Sequence, residues 1–197
     1  MSKKFKLGVI GNPIEHSLSP FIHSRFSRNE NINVEYLPYK VTDVDFDLFI
    51  REFCSDKDSK GLNVTLPHKK KAAEIEGVIS REAKYINAVN TIVSDDKKIF
   101  LYSTDGIGFI NDMQNKNFSL KEKNILIIGA GAAAESVIYR LAKSEANHIT
   151  VLNRTEEKAD RLIRKFSNMT SINTESNSEA PYDLIINGSS AGLTGEF

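Results

Sequence analysis

Ile125-Leu126-Ile127-Ile128-Gly129-Ala130-Gly131-Ala132-Ala133-Ala134 decides the fold of this chain. An apolar strand runs into a Gly-rich turn and then a helix, with the spacing G-x-G-x-x-A. In that frame Gly129 permits the tight turn, Gly131 lets the backbone approach a pyrophosphate, and Ala134 lets the helix sit close on the strand. Ala130, Ala132 and Ala133 complete the turn, and the helix start offers unpaired N–H groups to phosphates. A bare G-x-G-x-x-A string is often only a turn; the strand–turn–helix context favours a dinucleotide site. Downstream the pattern keeps alternating. Strands are expected at Asn124 to Ile128, His148 to Leu152 and Asp183 to Ile186, with helices at Ala132 to Ala142 and Glu156 to Phe166. The polar run Asn168 to Ala180 should hold a short strand and a loop. Such alternation means βαβ units on a parallel, Rossmann-like sheet.

The end of the second of these strands selects the cofactor. An enzyme using NAD usually places Asp or Glu there, on the ribose hydroxyls. This chain has Asn153-Arg154-Thr155, with Lys158 one turn on. A carboxylate would repel a 2′-phosphate, whereas Arg154 can pair with it and lie against the adenine. The plain alternative is a solvated basic loop. With no acid at these positions, NADP is the better reading.

The first half is also α/β. Strands are predicted at Lys6 to Ile10, Tyr36 to Val41, Gly61 to Leu66, Ala88 to Val93 and Ile99 to Tyr102. Ser19-Pro20 reads as an N-cap with Pro at the first helical position, opening a helix through about Ser27. Phe46, Phe49, Ile50 and Phe53 recur at helical spacing. Pro67 is read as the start of another helix. The lobe boundary falls between Asp105 and Leu120, giving a substrate-binding domain over 1–105 and an incomplete NADP-binding domain over 106–197.

Three groups of residues in the first half do not read as plain structure. Ser17 and Ser19 stand just before a helix start, a natural place for a carboxylate. Ser19 alone could be only the cap; Ser17 has no such evident need. In Asn63-Val64-Thr65-Leu66-Pro67-His68-Lys69, Asn63 and Thr65 share one strand face and Lys69 falls in the expected helix start. Cations there are unfavourable unless an anion lies near. Lys70 and Lys71 are read as solvated. Lys69 is not, since Asn90 and Asp105 offer it an amide and an acidic setting. Ala88-Val89-Asn90-Thr91 and Ser103-Thr104-Asp105-Gly106 complete the set.

In order and spacing, these strings closely resemble the shikimate dehydrogenase family, from Gly8 to Gly192. The resemblance implies reversible NADPH-dependent reduction of 3-dehydroshikimate to shikimate, within aromatic amino-acid biosynthesis. It implies that Ser17 and Ser19 hold the substrate carboxylate, and that Asn63, Thr65, Asn90 and Asp105 bind the ring hydroxyls. Lys69 and Asp105 would be the catalytic pair; Gly129, Gly131, Ala134, Asn153, Arg154 and Thr155 would hold NADP. The chain departs from the family pattern in places. Ser103 replaces an asparagine and Leu101 a glycine in G-x-N-T-D-G. Asn87 replaces the glycine before A-V-N-T, and Ala132 the glycine after G-A-G. Asn187-Gly188-Ser189-Ser190-Ala191-Gly192 stands for N-A-T-S-A-G. The family also continues past the position of Phe197, so the chain reads either as a fragment of a longer protein or as a degenerate relative. The rival functions are a non-catalytic shikimate- or nucleotide-binding remnant and a quinate/shikimate dehydrogenase.

Bulk properties agree with a small-molecule enzyme. The 197 residues carry 26 Lys plus Arg and 26 Asp plus Glu, a formal net charge of zero. Nucleic acid or an anionic membrane surface would call for a basic excess. Cys54 is the only cysteine, has no basic neighbour to activate it, and reads as a half-buried helix residue. No signal-peptide core or membrane span is seen, so the cytoplasm is expected. No metal is expected, and the pattern does not choose between a monomer and a homodimer.

Overall fold

A computed structural model describes residues 4–96, 98–174 and 181–189. The chain divides into two compact units, Met1–Ser103 and Thr104–Phe197.

The first unit is built on six strands: β1 (Phe5–Gly11), β2 (Val34–Lys40), β3 (Ser59–Val64), β4 (Val78–Ile79), β5 (Thr91–Asp95) and β6 (Lys98–Tyr102). Their order is β2-β1-β3-β5-β6-β4. β1 runs parallel to β2 and β3, while β5 is antiparallel to β3 and β6. Helices α1 (Ser19–Asn29) and α2 (Phe46–Ser55) make the crossovers that parallel strands require. α2 buries Phe46 and Ile50. They join Ile10, Leu62, Val64, Val89, Ile92 and Leu101 in one apolar core.

Three local features of this unit differ from the sequence expectation. No α-helix starts at Pro67: the chain turns there and forms only a 3-10 turn at Lys71–Glu74. Long-range bonds hold this turn. The Lys69 carbonyl accepts from Val89 N at 2.8 Å, and the buried His68 ring bonds the Val41 carbonyl at 2.7 Å. Next, α3 (Arg81–Ile86) precedes β5 without a counterpart among the expected elements. Its signal is Ser80, whose side chain caps the Ala83 N–H. The strand expected from Ala88 begins instead at Thr91. Finally, Lys71 is partly exposed but paired rather than free. Its ammonium donates to the Asp43 carbonyl at 2.5 Å and pairs with Asp47 at 3.2 Å, tying the turn to the start of α2.

The second unit holds α4 (Asp105–Asn115), β7 (Asn124–Ile128), α5 (Ala132–Leu141), β8 (His148–Leu152), α6 (Glu156–Phe166), β9 (Ile172–Asn173) and β10 (Leu184–Asn187). The sheet order is β10-β7-β8-β9, every pair parallel. This is the expected doubly wound half, with the Gly-rich turn leaving its central strand β7. Ile125 and Ile127 are fully buried, as are Ile138 and Leu141 on α5 and Leu162 and Phe166 on α6. β9 supplies the short strand expected in the polar run. Residues 175–180, and Ser190, Ala191, Gly192 and Phe197, lie outside the described residues. Among the described residues no helix is long and apolar enough to cross a membrane.

Candidate active site

The expected substrate residues of the first unit gather at the ends of β1, β2 and β3. Backbone bonds align the two key loops: Asn12 N donates to the Leu66 carbonyl at 3.0 Å and Thr65 N to the Ile10 carbonyl at 2.9 Å. Asn63, on β3, lies beside Val9 of β1 and Thr91 of β5. Its Oδ1 accepts from the Tyr36 hydroxyl at 2.7 Å, and its Nδ2 donates to Thr91 Oγ1 at 3.4 Å. Thr91 Oγ1 donates in turn to Asn90 Oδ1 at 3.1 Å. Val64 N bonds the Asn90 carbonyl and Asn90 N the Tyr102 carbonyl, so Asn90 is held from both sides. Lys69 is half-buried, and its carbonyl is held by the N–H of Val89, the residue before Asn90.

The serine pair behaves differently from expectation. Leu18, not Ser19, occupies the cap position, and Ser19 is the first residue of α1 with no capping bond. Ser17 Oγ accepts from Ser19 N at 3.3 Å, so it does have a structural bond. Burial raises the Tyr36 phenol, and the nearby Ser19 side chain opposes that shift. Sequence reasoning misses Tyr36 as part of the site. It pairs with Leu7 of β1, two residues before the Val9 that pairs with Asn63 on the other side, and nothing in its own strand sequence marks it.

Electrostatics reinforce the loop that carries Ser17. Glu15 Oε1 pairs with Lys40 at 2.8 Å and its Oε2 accepts from Ile14 N at 2.9 Å. The Lys40 bond first, then the backbone N–H groups of Glu15 and Ile14, hold its carboxyl down to about 2. Burial pushes the Tyr36 phenol up to about 12 and the Cys54 thiol above its ordinary value.

In the second unit Gly129 has φ +113°, a conformation that only glycine adopts readily. A side chain there would also collide with Gly188 at the end of β10, 2.8 Å away. At Gly131 an added Cβ would meet none of the described residues within 4 Å, so the turn is open there. Gly131 caps α5 in extended conformation with no side-chain cap bond, so the first-turn N–H groups of Ala132, Ala133 and Ala134 present a positive end. Ala134 is buried against Gly188. Asn153 follows β8 and closes a tight turn by donating to the Thr155 carbonyl at 2.7 Å, while Arg154 and Lys158 are exposed. These residues fit a dinucleotide: a pyrophosphate cradle, then a cationic ribose end without a carboxylate at 153–155.

Asp105 opens α4 in this unit, and Gly106 behind it packs against α5. Its N–H donates to Ser136 Oγ at 2.9 Å.

Comparison with known proteins agrees in both units. The sequence profile of the shikimate dehydrogenase substrate binding domain matches residues 9–92, and that of shikimate / quinate 5-dehydrogenase matches residues 112–193. The chain belongs to the shikimate dehydrogenase family. It is 40% identical to the shikimate dehydrogenase (NADP(+)) of Legionella pneumophila strain Corby, over 96% of this chain and 70% of that protein. The crystal structure of shikimate dehydrogenase from Aquifex aeolicus superposes with a TM-score of 0.88 at 34% identity, covering 100% of this chain and 73% of that one. That of the Thermus thermophilus enzyme, in complex with NADP(H) and shikimate, gives 0.84 at 27% identity, over 96% and 70%. The chain thus spans about 70% of the length of these family members.

Proposed function

We propose that this chain is an NADP-dependent shikimate dehydrogenase, interconverting 3-dehydroshikimate and shikimate. The observation that carries the reading is the joint one: both halves match the family, and the turn after β8 holds Arg154 where an NAD site would hold an acid.

When bound, the nicotinamide supplies or accepts the hydride; binding, orientation and proton transfer fall to the protein. Ser17 and Ser19 are the proposed carboxylate donors, and Asn63, Thr65, Asn90 and Asp105 the partners of the ring hydroxyls. Lys69 gives its Nζ proton to the carbonyl oxygen as that oxygen gains charge, and takes it back in the oxidative direction. Asp105 orients the ammonium and a substrate hydroxyl; its pairing with Lys69 is taken from the family pattern. Gly129, Gly131 and the α5 start hold the pyrophosphate, with Asn153, Arg154, Thr155 and Lys158 at the 2′-phosphate. We place the reaction in the cytoplasm, where a lone unpaired thiol such as Cys54 is ordinary.

The direct test is shikimate-dependent reduction of NADP+ by the 197-residue chain, followed by NADPH fluorescence. The expected result is NADPH formation with shikimate, and a much weaker response with NAD+. A chain that binds shikimate and NADP+ but never transfers hydride is the remnant. Equal rates with both nucleotides would overturn the role of Arg154.

A further inference from the structure

The substrate residues of the first unit do not stand alone; one buried hydroxyl joins them. Tyr36 is 9% exposed, and its ring stacks on His23 with centroids 4.1 Å apart and planes at 6°. That leaves the ring little freedom and aims its hydroxyl at Asn63 Oδ1, 2.7 Å away.

The proton count on these groups is restrictive. A phenol has one proton, and here it goes to Asn63 Oδ1. The Asn63 amide is then fixed with its oxygen toward Tyr36 and its NH2 group the other way, one hydrogen toward Thr91 Oγ1 at 3.4 Å. The remaining N–H has to meet an acceptor.

We propose that Tyr36 is a positioning residue of the substrate site, setting the direction of the Asn63 amide. The inference rests on the reading of Asn63 as a substrate-holding residue. It adds a specificity rule: Asn63 meets substrate as a donor, so the group opposite it must be an acceptor oxygen.

Tyr36→Phe in the full chain tests this, since it removes the hydroxyl and keeps the ring on His23. Shikimate binding by calorimetry should weaken roughly 3–10-fold, the range for one lost hydrogen bond. NADP+ affinity, kcat at saturating shikimate and the thermal midpoint should stay near wild type. Ser19→Ala and Asn63→Ala serve as references. If both weaken shikimate binding while Tyr36→Phe does not, the role of Tyr36 is refuted and the site stands. If Tyr36→Phe lowers the thermal midpoint, kcat and both affinities together, Tyr36 is only a packing residue and the proposal is equally refuted. If wild type binds no shikimate, or none of the three variants changes its binding, the reading of the site itself falls and takes the proposal with it.

Discussion

Helix α4 begins with the proposed catalytic carboxylate and carries two glycines whose surroundings are opposite. An ideal Cβ on Gly106 would stand 2.2 Å from the Ser136 carbonyl oxygen and 2.7 Å from its carbon, whereas one on Gly108 would meet nothing within 4 Å. Gly106→Ala therefore forces α4 away from α5, an overpacking of about 1–3 kcal/mol. The retreat also stretches the 2.9 Å bond from Gly106 N to Ser136 Oγ, worth about 0.5–1.5 kcal/mol. Against this stands the ordinary helical gain of alanine over glycine, about 0.5–1 kcal/mol. The central values give a net loss of roughly 2 kcal/mol, or a fall in Tm of roughly 4–8 °C for a chain of this size. Gly108→Ala has only the gain, so its Tm should rise by roughly 1–3 °C. Thermal unfolding followed by far-UV circular dichroism gives both numbers. Because Asp105 directly precedes Gly106, the first variant should also lose turnover while the second keeps it. Two shifts of the same sign would show that the close approach of α4 to α5 is not what holds this helix.

The other predictions concern charge and chemistry. Lys69→Ala should cut turnover by roughly 10²–10⁴-fold with shikimate affinity within a few fold; Lys70→Ala should do little, and Lys71→Ala should lower stability rather than turnover, because it unties the Asp43 and Asp47 contacts. Three equal, salt-sensitive affinity defects would instead mean a basic patch. Arg154→Ala should weaken NADPH binding far more than NADH binding, and a fluorescence titration with equal losses would remove Arg154 from the 2′-phosphate. Glu15 is ionised in the folded chain down to about 2, against an ordinary 4.5, so its contribution is full above pH 4.5 and disappears as pH falls through 2. The gap in Tm between wild type and Glu15→Gln should close over that window; parallel curves would show that Lys40 does not stabilise the Ser17 loop.

The second unit is legible almost residue by residue, and the reason is physical. β7, β8 and α6 match their expected bounds because βαβ units are specified locally, by short apolar runs and by turn chemistry between them. The first unit resists where distant partners decide. Nothing in Leu66-Pro67-His68-Lys69 announces that the Lys69 carbonyl will be claimed by Val89 and the His68 ring by Val41. The Ser17 and Ser19 positions are readable as a hydroxyl pair, yet that Ser17 and not Ser19 bonds the backbone at the start of α1 is not. Tyr36 itself sits in an ordinary strand sequence, and only parallel register with β1 brings it to Asn63.

The departures from the family pattern become intelligible once backbone conformation is known. Asn87 stands where glycine is usual, and it has φ +53°, ψ +48° at the C-cap of α3. That left-handed conformation is the one asparagine tolerates best after glycine. Ala132 replaces a glycine at the first residue of α5, where the backbone is helical and makes no demand for one. Gly188 works in the opposite sense, since an added Cβ would come within 2.9 Å of the Ala134 Cβ at the Gly-rich turn. At these three positions the donors and acceptors proposed for substrate and cofactor stay in place, and the turns that present Asn90, Gly129 and Gly131 keep backbone conformations that Asn87, Ala132 and Gly188 adopt without strain. Leu101 answers a different demand: it takes the place of a glycine on β6 and is fully buried in the apolar core of the first unit.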